Sequence, residues 1–277
     1  STLTVRGLNV LHRLRTKQRT YAWPGKTESQ IAESFESRLP DPDNNGKKLK
    51  ILTAPLPTEV PLDYIAQNNQ YDIDFLFELA RRAGYVLFIQ EKEEKGGKVI
   101  KERGLYFGPS TGSHPALRTD VLELKWGTSL IDFKPTLTTA NQIKSVTVNG
   151  WNVATKKKFV GRASIEDEKV NKDLHLLLEK CDAREEQVVD LAVCNQKDAD
   201  KRARAILQGR AKDLVKANGT CVGLPELRAG QRVVISNLGA RFNGEYFVTD
   251  TTHTLDDKGY FTKFNARREE KKAGDKK

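Results

Sequence analysis

Two spacings of apolar residues run through this chain, and the points where one replaces the other mark its elements. Leu3 and Val5 open an alternation at period two, so strands are expected over residues 2–14 and 19–23, ended by Pro24-Gly25. The spacing then becomes helical. Thr27 and Gln30 form a T-x-x-Q capping box, and Ile31, Phe35 and Leu39 follow at i, i+4 and i+8 on one face. The proline-, asparagine- and glycine-rich stretch 39–46 ends that helix as a loop. A short strand is expected over 49–54. A second helix over about 72–83 places Ile73, Leu76, Phe77 and Ala80 on its core face, with Gly84 suited to the position after its end. Residues 85–90 read as a strand and 91–98 as a charged hairpin tip, with Leu105-Tyr106-Phe107 as the returning partner.

From Val121 onward period two dominates. Strands are expected over 121–126, 131–135, 143–151 and 158–161. Charge interrupts the rhythm over 162–195, which reads as an insertion with a short apolar piece at 174–178. A helix over 198–214 follows, with Ala199, Ala203, Ile206, Leu207 and Leu214 on one face and Lys201, Arg202 and Arg204 beside it. Strands resume near Val215. Val233 with Ile235, and Tyr246 with Val248, are half-buried pairs, and Asn243-Gly244 and Lys258-Gly259 supply glycines for hairpin turns. The fold class is therefore α+β, mainly β: a β-barrel interrupted by an insertion and closed with a packed helix, preceded by a small α+β module.

Composition narrows the function classes. The 277 residues suffice for two or three small domains, and 38% hydrophobic with 30% charged residues describes a soluble protein. No apolar run approaches a membrane span, and residues 1–27 hold six basic residues without the apolar core of a secretory signal. Cys181, Cys194 and Cys221 are odd in number and lack C-x-x-C spacing, which argues against a disulfide scaffold or a zinc site and fits a reduced compartment. The chain contains no methionine and opens directly into alternation, so it is expected to begin partway through a domain. Net charge is +10, but Lys and Arg alternate with Asp and Glu over most of the length. The basic N-terminal stretch (Arg6, Arg13, Arg15, Lys17, Arg19, Lys26) lacks interleaved aromatics, so nucleic-acid binding is not expected as the main role.

No residue combination promises catalysis. His12, His114, His175 and His253 show no H-x-x-x-H or H-E-x-x-H spacing, and His12 and His253 read as structural hydrogen-bonding or solvent-facing groups. The pairs Asp41/Asp43 and Asp72/Asp74 are the carboxylates a glycosidase could use. Asp41 and Asp43 suit a turn, however, and Asp72 and Asp74 suit a helix N-terminus. Walker and G-x-G-x-x-G loops are absent. Asn218-Gly219-Thr220 matches a glycosylation sequon, read as a coincidence in a chain without a secretory signal. Trp23, Trp126 and Trp151 are expected in cores or interfaces, with core packing preferred for Trp151. Catalytic, cofactor-binding and metal-binding residues are therefore all expected to be none.

One resemblance spans most of the chain. The pieces are Val5-x-Gly7-Leu8-x-x-x-His12-Arg13-Leu14, Lys26-Thr27-Glu28-Ser29-x-Ile31-Ala32, and Tyr71-Asp72-x-Asp74-Phe75-Leu76-x-x-Leu79-Ala80-x-x-x-Gly84-Tyr85. Gln142-x-x-x-Val146-x-Val148-x-Gly150-Trp151 and Gly223-x-Pro225-x-Leu227-x-x-Gly230-x-x-Val233-x-Ile235 continue the series. Phe242-x-Gly244-x-Tyr246-x-Val248, His253 and Gly259-Tyr260-x-Thr262-x-Phe264 complete it. In this order they resemble the phage late control gene D family, baseplate hub proteins of contractile tails related to the hub portion of VgrG.

The resemblance implies residues 1–26 as the end of a truncated first barrel and 27–115 as an α+β module. It implies 116–268 as a second barrel with its insertion (162–195) and packed helix (198–214), and 269–277 as a charged tail. It further implies a homotrimer that adapts a hexameric tail tube to a trimeric spike, with tube and spike proteins as partners. Such a protein would reside in the virion tail or baseplate after assembly in the bacterial cytoplasm. No spike repeat follows Phe264-x-Ala266-Arg267, which matches the phage-type arrangement with a separate spike. The alternatives are a tail-associated peptidoglycan hydrolase and a basic nucleic-acid-binding module.

Overall fold

A computed structural model describes residues 7–41, 47–96, 98–110, 121–152, 155–167, 184–189, 193, 195–239 and 241–269, the side chains of 95, 98, 100 and 101 excepted. The chain divides into two compact units, Ser1–Pro109 and Ser110–Lys277. Both are α+β with strand predominating, as the periodicity implied.

In the first unit a 3-10 helix, Val10–Arg15, stands where a strand was expected over 2–14. Its two buried residues, Val10 and Leu14, are four apart, a helical spacing, and the Asn9 side chain accepts the Leu11 N–H at 3.1 Å to start it. Residues 2–6 of that expected strand lie outside the described residues. Strand β1 (Gln18–Trp23) pairs antiparallel with β3 (Ile65–Tyr71), which the polar run Gln67-Asn68-Asn69-Gln70 had hidden from the pattern. Between them lie α1 (Glu28–Ser34), a 3-10 turn (Phe35–Arg38) and β2 (Lys50–Thr53). The capping box forms: Thr27 Oγ1 accepts from Gln30 N and Gln30 Oε1 from Thr27 N, both at 3.2 Å.

Helix α2 (Asp72–Ala83) ends in a Schellman arrangement. Gly84 sits at φ 72°, its N–H donates to Arg81 O at 3.3 Å, and Tyr85 N donates to Ala80 O at 2.8 Å. The buried stripe of α2 is Ile73, Phe75, Leu76, Leu79, Ala80 and Ala83. Phe77, expected inside, is 38% exposed, because the stripe is centred about one residue away from the expected one. Strands β4 (Val86–Gln90), β5 (Glu93–Lys95), β6 (Lys98–Lys101) and β7 (Gly104–Gly108) follow. Fully buried β7 is the centre of a three-stranded sheet, parallel to β2 and antiparallel to β4. Phe35, Phe75, Leu76, Leu105 and Phe107 belong to the core beneath it.

The second unit contains β8 (Leu122–Lys125), β9 (Leu130–Leu137), β10 (Ile143–Asn152), β11 (Lys157–Ser164) and β12 (Arg184–Val188). Then come α3 (Gln196–Lys212), β13 (Val215–Val222), β14 (Arg232–Ser236), β15 (Gly244–Asp256) and β16 (Gly259–Arg268). Six of these strands make one curled sheet in the order β8-β14-β15-β16-β13-β9. Its two terminal strands are consecutive in the chain, and an isolated bridge joins Trp126 to Leu130 at their common turn. The sheet is thus a half-barrel drawn together at one end. Its concave residues Leu124, Phe133, Val233, Ile235, Tyr246, Val248 and Phe264 are buried, with Tyr246 set edge-on to Phe133 at 5.5 Å.

A second sheet, β11-β10-β12, carries α3. The reading of 162–195 as an insertion is corrected here at both ends. Strand β11 continues to Ser164, and β12 pairs parallel with β10 through Ile143↔Arg184 to Val148↔Val188. Strand β12 reads Arg-Glu-Glu-Gln-Val, and its charge concealed it; the apolar piece at 174–178 lies outside the described residues. Helix α3 opens with the Asn195 side chain accepting from Asp198 N at 3.0 Å, and it buries the small residues Ala199 and Ala203. Those small residues let it approach β11 so closely that a Cβ at Gly161 would lie 2.2 Å from the Ala199 carbonyl carbon.

Candidate functional site: sheet ends and exposed hairpins

The acids that sequence singled out are held as structural anchors. Asp72, at the start of α2, is 4% exposed and accepts from Arg19 Nε at 3.2 Å, Arg38 Nη1 at 3.1 Å and Gln67 Nε2 at 2.8 Å. One carboxylate thereby joins β1, β3, α2 and the 3-10 turn. Asp74, two residues on, accepts from Arg15 Nη2 at 2.8 Å on the surface. Asp41 accepts from Arg103 Nη1 at 3.1 Å, and Asp43 lies outside the described residues. A cavity of about 450 Å³ is lined by Leu8, Asn9, Val10, His12, Arg13, Glu91 and Arg103. Its one carboxylate, Glu91, meets Arg103 Nε at 3.2 Å, so the cavity lacks the carboxylate pair that glycoside hydrolysis needs.

The histidines divide in the same way. His12 is exposed on the first 3-10 helix. On β15, His253 Nε2 lies 3.1 Å from Leu227 O and so carries the proton, which leaves Nδ1 to accept from Tyr260 Oη at 2.9 Å or Thr262 Oγ1 at 3.1 Å. These bonds tie the 224–227 loop to the β15–β16 hairpin. His114 and His175 lie outside the described residues, as do Cys181 and Cys194. Cys221 is fully buried on β13, and burial pushes its thiol up to about 11, so it is an inert core group. Among the described residues no cluster of His, Cys, Asp or Glu could hold a metal ion, and no helix is long and apolar enough to cross a membrane.

What the second unit does present is open β structure. Strand β8 pairs with β14 and strand β9 with β13, and among the described residues neither has a named strand on its other side. Around the 126–129 turn that joins them lie exposed Trp126 (41%), Ile131 (48%) and Val222 (50%). Val222 N donates to Ser129 O at 3.0 Å, which draws the end of β13 to that turn. By contrast, one edge of β11 is plugged: Gln196 Nε2 donates to Val160 O at 2.8 Å and its Oε1 accepts from Val160 N at 3.3 Å.

The tryptophans were half legible. Trp23 is buried against Phe35, their rings 5.8 Å apart. Trp151 is not in the core; it is 59% exposed near the end of β10, cross-strand from Lys158. Buried Val146 and Val148 precede it, but from Ser145 onward the odd-numbered positions of β10 point to the other face, so Trp151 falls outside. The signal that sequence reading passed over was the run Lys156-Lys157-Lys158, which a hairpin brings beside that ring.

The family model described as the Alg8 N-terminal domain matches residues 56–257. Comparison with curated proteins gave no match. Among solved structures, a 43 kDa tail protein of prophage MuSo2 from Shewanella oneidensis is 14% identical, with a TM-score of 0.63 over 95% of this chain and 72% of that one. A tail protein from Neisseria meningitidis is 15% identical, with a TM-score of 0.62 over 93% of this chain and 71% of that one. An E. coli component of the type VI secretion system, itself described as similar to T4 bacteriophage tail proteins, is 12% identical at a TM-score of 0.55. It is covered over 53% of its length by 94% of this chain. At these identities the likeness is one of fold: this chain has the fold of phage tail proteins.

Proposed function

The chain belongs to the Alg8 N-terminal domain family, and we propose that it is a structural subunit of a phage-type contractile tail, a baseplate hub protein that trimerises. In that role three copies adapt a hexameric tail tube to a trimeric spike, and tube and spike proteins are its neighbours in the virion. The observation that carries this reading is the half-barrel of the second unit. Among the described residues no named strand pairs with the outer side of its two terminal strands, and exposed Trp126, Ile131 and Val222 lie beside their turn. Open edges and exposed apolar groups favour strand pairing or packing with another chain. A tail assembly supplies such chains, and the shared fold with tail proteins over nearly the whole length supports that setting. The hydrolase alternative has little support, because Asp41, Asp72 and Asp74 are all bonded to arginine.

Light scattering across a micromolar concentration series tests the proposal. The expected result is a species of three times the 31.2 kDa chain mass. A protein that stays monomeric both alone and with the spike protein of its own tail removes the hub assignment.

A further inference from the structure

Two hairpin ends of the second unit differ in charge. At the β10–β11 end, Trp151 is 59% exposed and lies cross-strand from Lys158, while Asn152 lies cross-strand from Lys157. Lys156, Lys157 and Lys158 are all exposed. At the β15–β16 end, Leu255 is 82% exposed, the highest value among the described large apolar side chains. Asp256 and Asp257 follow it, both exposed, with Lys258 the one cation of that turn. Asp256 Oδ1 accepts the Lys258 N–H at 2.9 Å, which shapes the turn and leaves the carboxylate facing water. Each end therefore combines one large exposed apolar side chain with charge of one prevailing sign, and the signs are opposite.

We infer that the Trp151/Lys156–158 hairpin end docks on the Leu255/Asp256/Asp257 hairpin end of a second copy of this chain. The inference rests on the trimer reading above and gives it a contact. A closed ring of three requires a heterologous interface, in which one patch of each subunit meets a different patch of the next. Two unlike, charge-complementary ends on one unit meet that requirement, whereas a self-complementary patch would give a twofold dimer. Apolar contact between Trp151 and Leu255 supplies burial, and the lysine–aspartate pairs supply register and steer encounter. The contact weakens as salt screens it.

Charge reversal tests the contact in the full chain. Lys156→Glu, Lys157→Glu and Lys158→Glu together, and separately Asp256→Lys with Asp257→Lys, are surface changes whose folding is checked by circular dichroism. Each set is expected to raise the dissociation constant at least tenfold in sedimentation equilibrium. Combining both sets in one chain is expected to restore most of the affinity, an outcome that general surface damage would not produce. If the wild-type chain associates but ignores both reversals, or if the combined variant shows no recovery, this contact is wrong while the oligomer stands. If the wild-type chain does not associate at all, the trimer reading fails first and the contact with it. Fluorescence anisotropy with a single-stranded DNA oligonucleotide adds a separate arm. A lysine variant that keeps wild-type association but loses oligonucleotide binding overturns the contact and assigns the basic end to nucleic acid.

Discussion

Asp72 joins β1, β3, α2 and a 3-10 turn through one carboxylate. Two arginines and an amide converge on a carboxylate that water barely reaches, so the carboxylate is a joint between elements. Removing it strands two guanidinium groups and a buried Gln67 side chain. Because Arg19 and Arg38 remain partly exposed, at 38% and 25%, the cost falls below that of a fully buried pair. Asp72→Ala should destabilise the first unit by about 2–3 kcal/mol, read as a lower urea midpoint. The same variant separates structure from catalysis. Both forms should leave purified peptidoglycan intact over hours, and lysis present in the wild type but lost in the variant would make Asp72 a catalytic acid.

Among the elements, the contact of α3 with β11 depends most on a single side chain's absence. Ala199 and Ala203 bring the helix close, Gln196 plugs the strand edge, and Gly161 leaves room for the helix backbone. A side chain at 161 meets backbone atoms, which cannot rotate aside. Gly161→Val should therefore cost about 2–4 kcal/mol or prevent folding of the second unit. Gly209 on the same helix has open space around its would-be Cβ and serves as control: Gly209→Ala should be neutral or slightly stabilising. Equal thermal midpoints for Gly161→Val and the wild type would show that the helix does not approach the strand this way.

At the scale of the whole molecule, three buried ionisable groups set a limit at high pH. Burial pushes the Cys221 thiol up to about 11 and the Tyr246 phenol up to about 12, and it raises Tyr85 further. Each folded unit therefore holds protons that the unfolded chain releases from about pH 9–10 upward. The stabilisation is fully present below those unfolded values and is lost as pH rises through the folded ones. Urea midpoints should hold steady from about pH 7 to 9 and fall steeply by about pH 11, with tyrosinate absorbance rising in step with unfolding. A midpoint unchanged at about pH 11 would show that these groups are open to solvent in the native state.

Sequence by itself determined the elements whose signals are local. The Thr27/Gln30 box, the Gly84 stop of α2 and the alternation through β13 to β16 each depend on residues within a turn or a strand of one another. The α+β, mainly β class followed from those. Tertiary structure decided what local pattern cannot encode. Strand β3 carries the polar run Gln67-Asn68-Asn69-Gln70 and β12 is mostly charged, and both are strands because a partner strand satisfies their backbone groups. Val10 and Leu14 are helical because their core lies on one side, and Phe77 is exposed because the packing of α2 turns its stripe. Of the candidate surface, the lysine run was legible, but its place beside Trp151 was not. Cross-strand neighbours are set by hairpin register, and register depends on which face of the sheet the core claims.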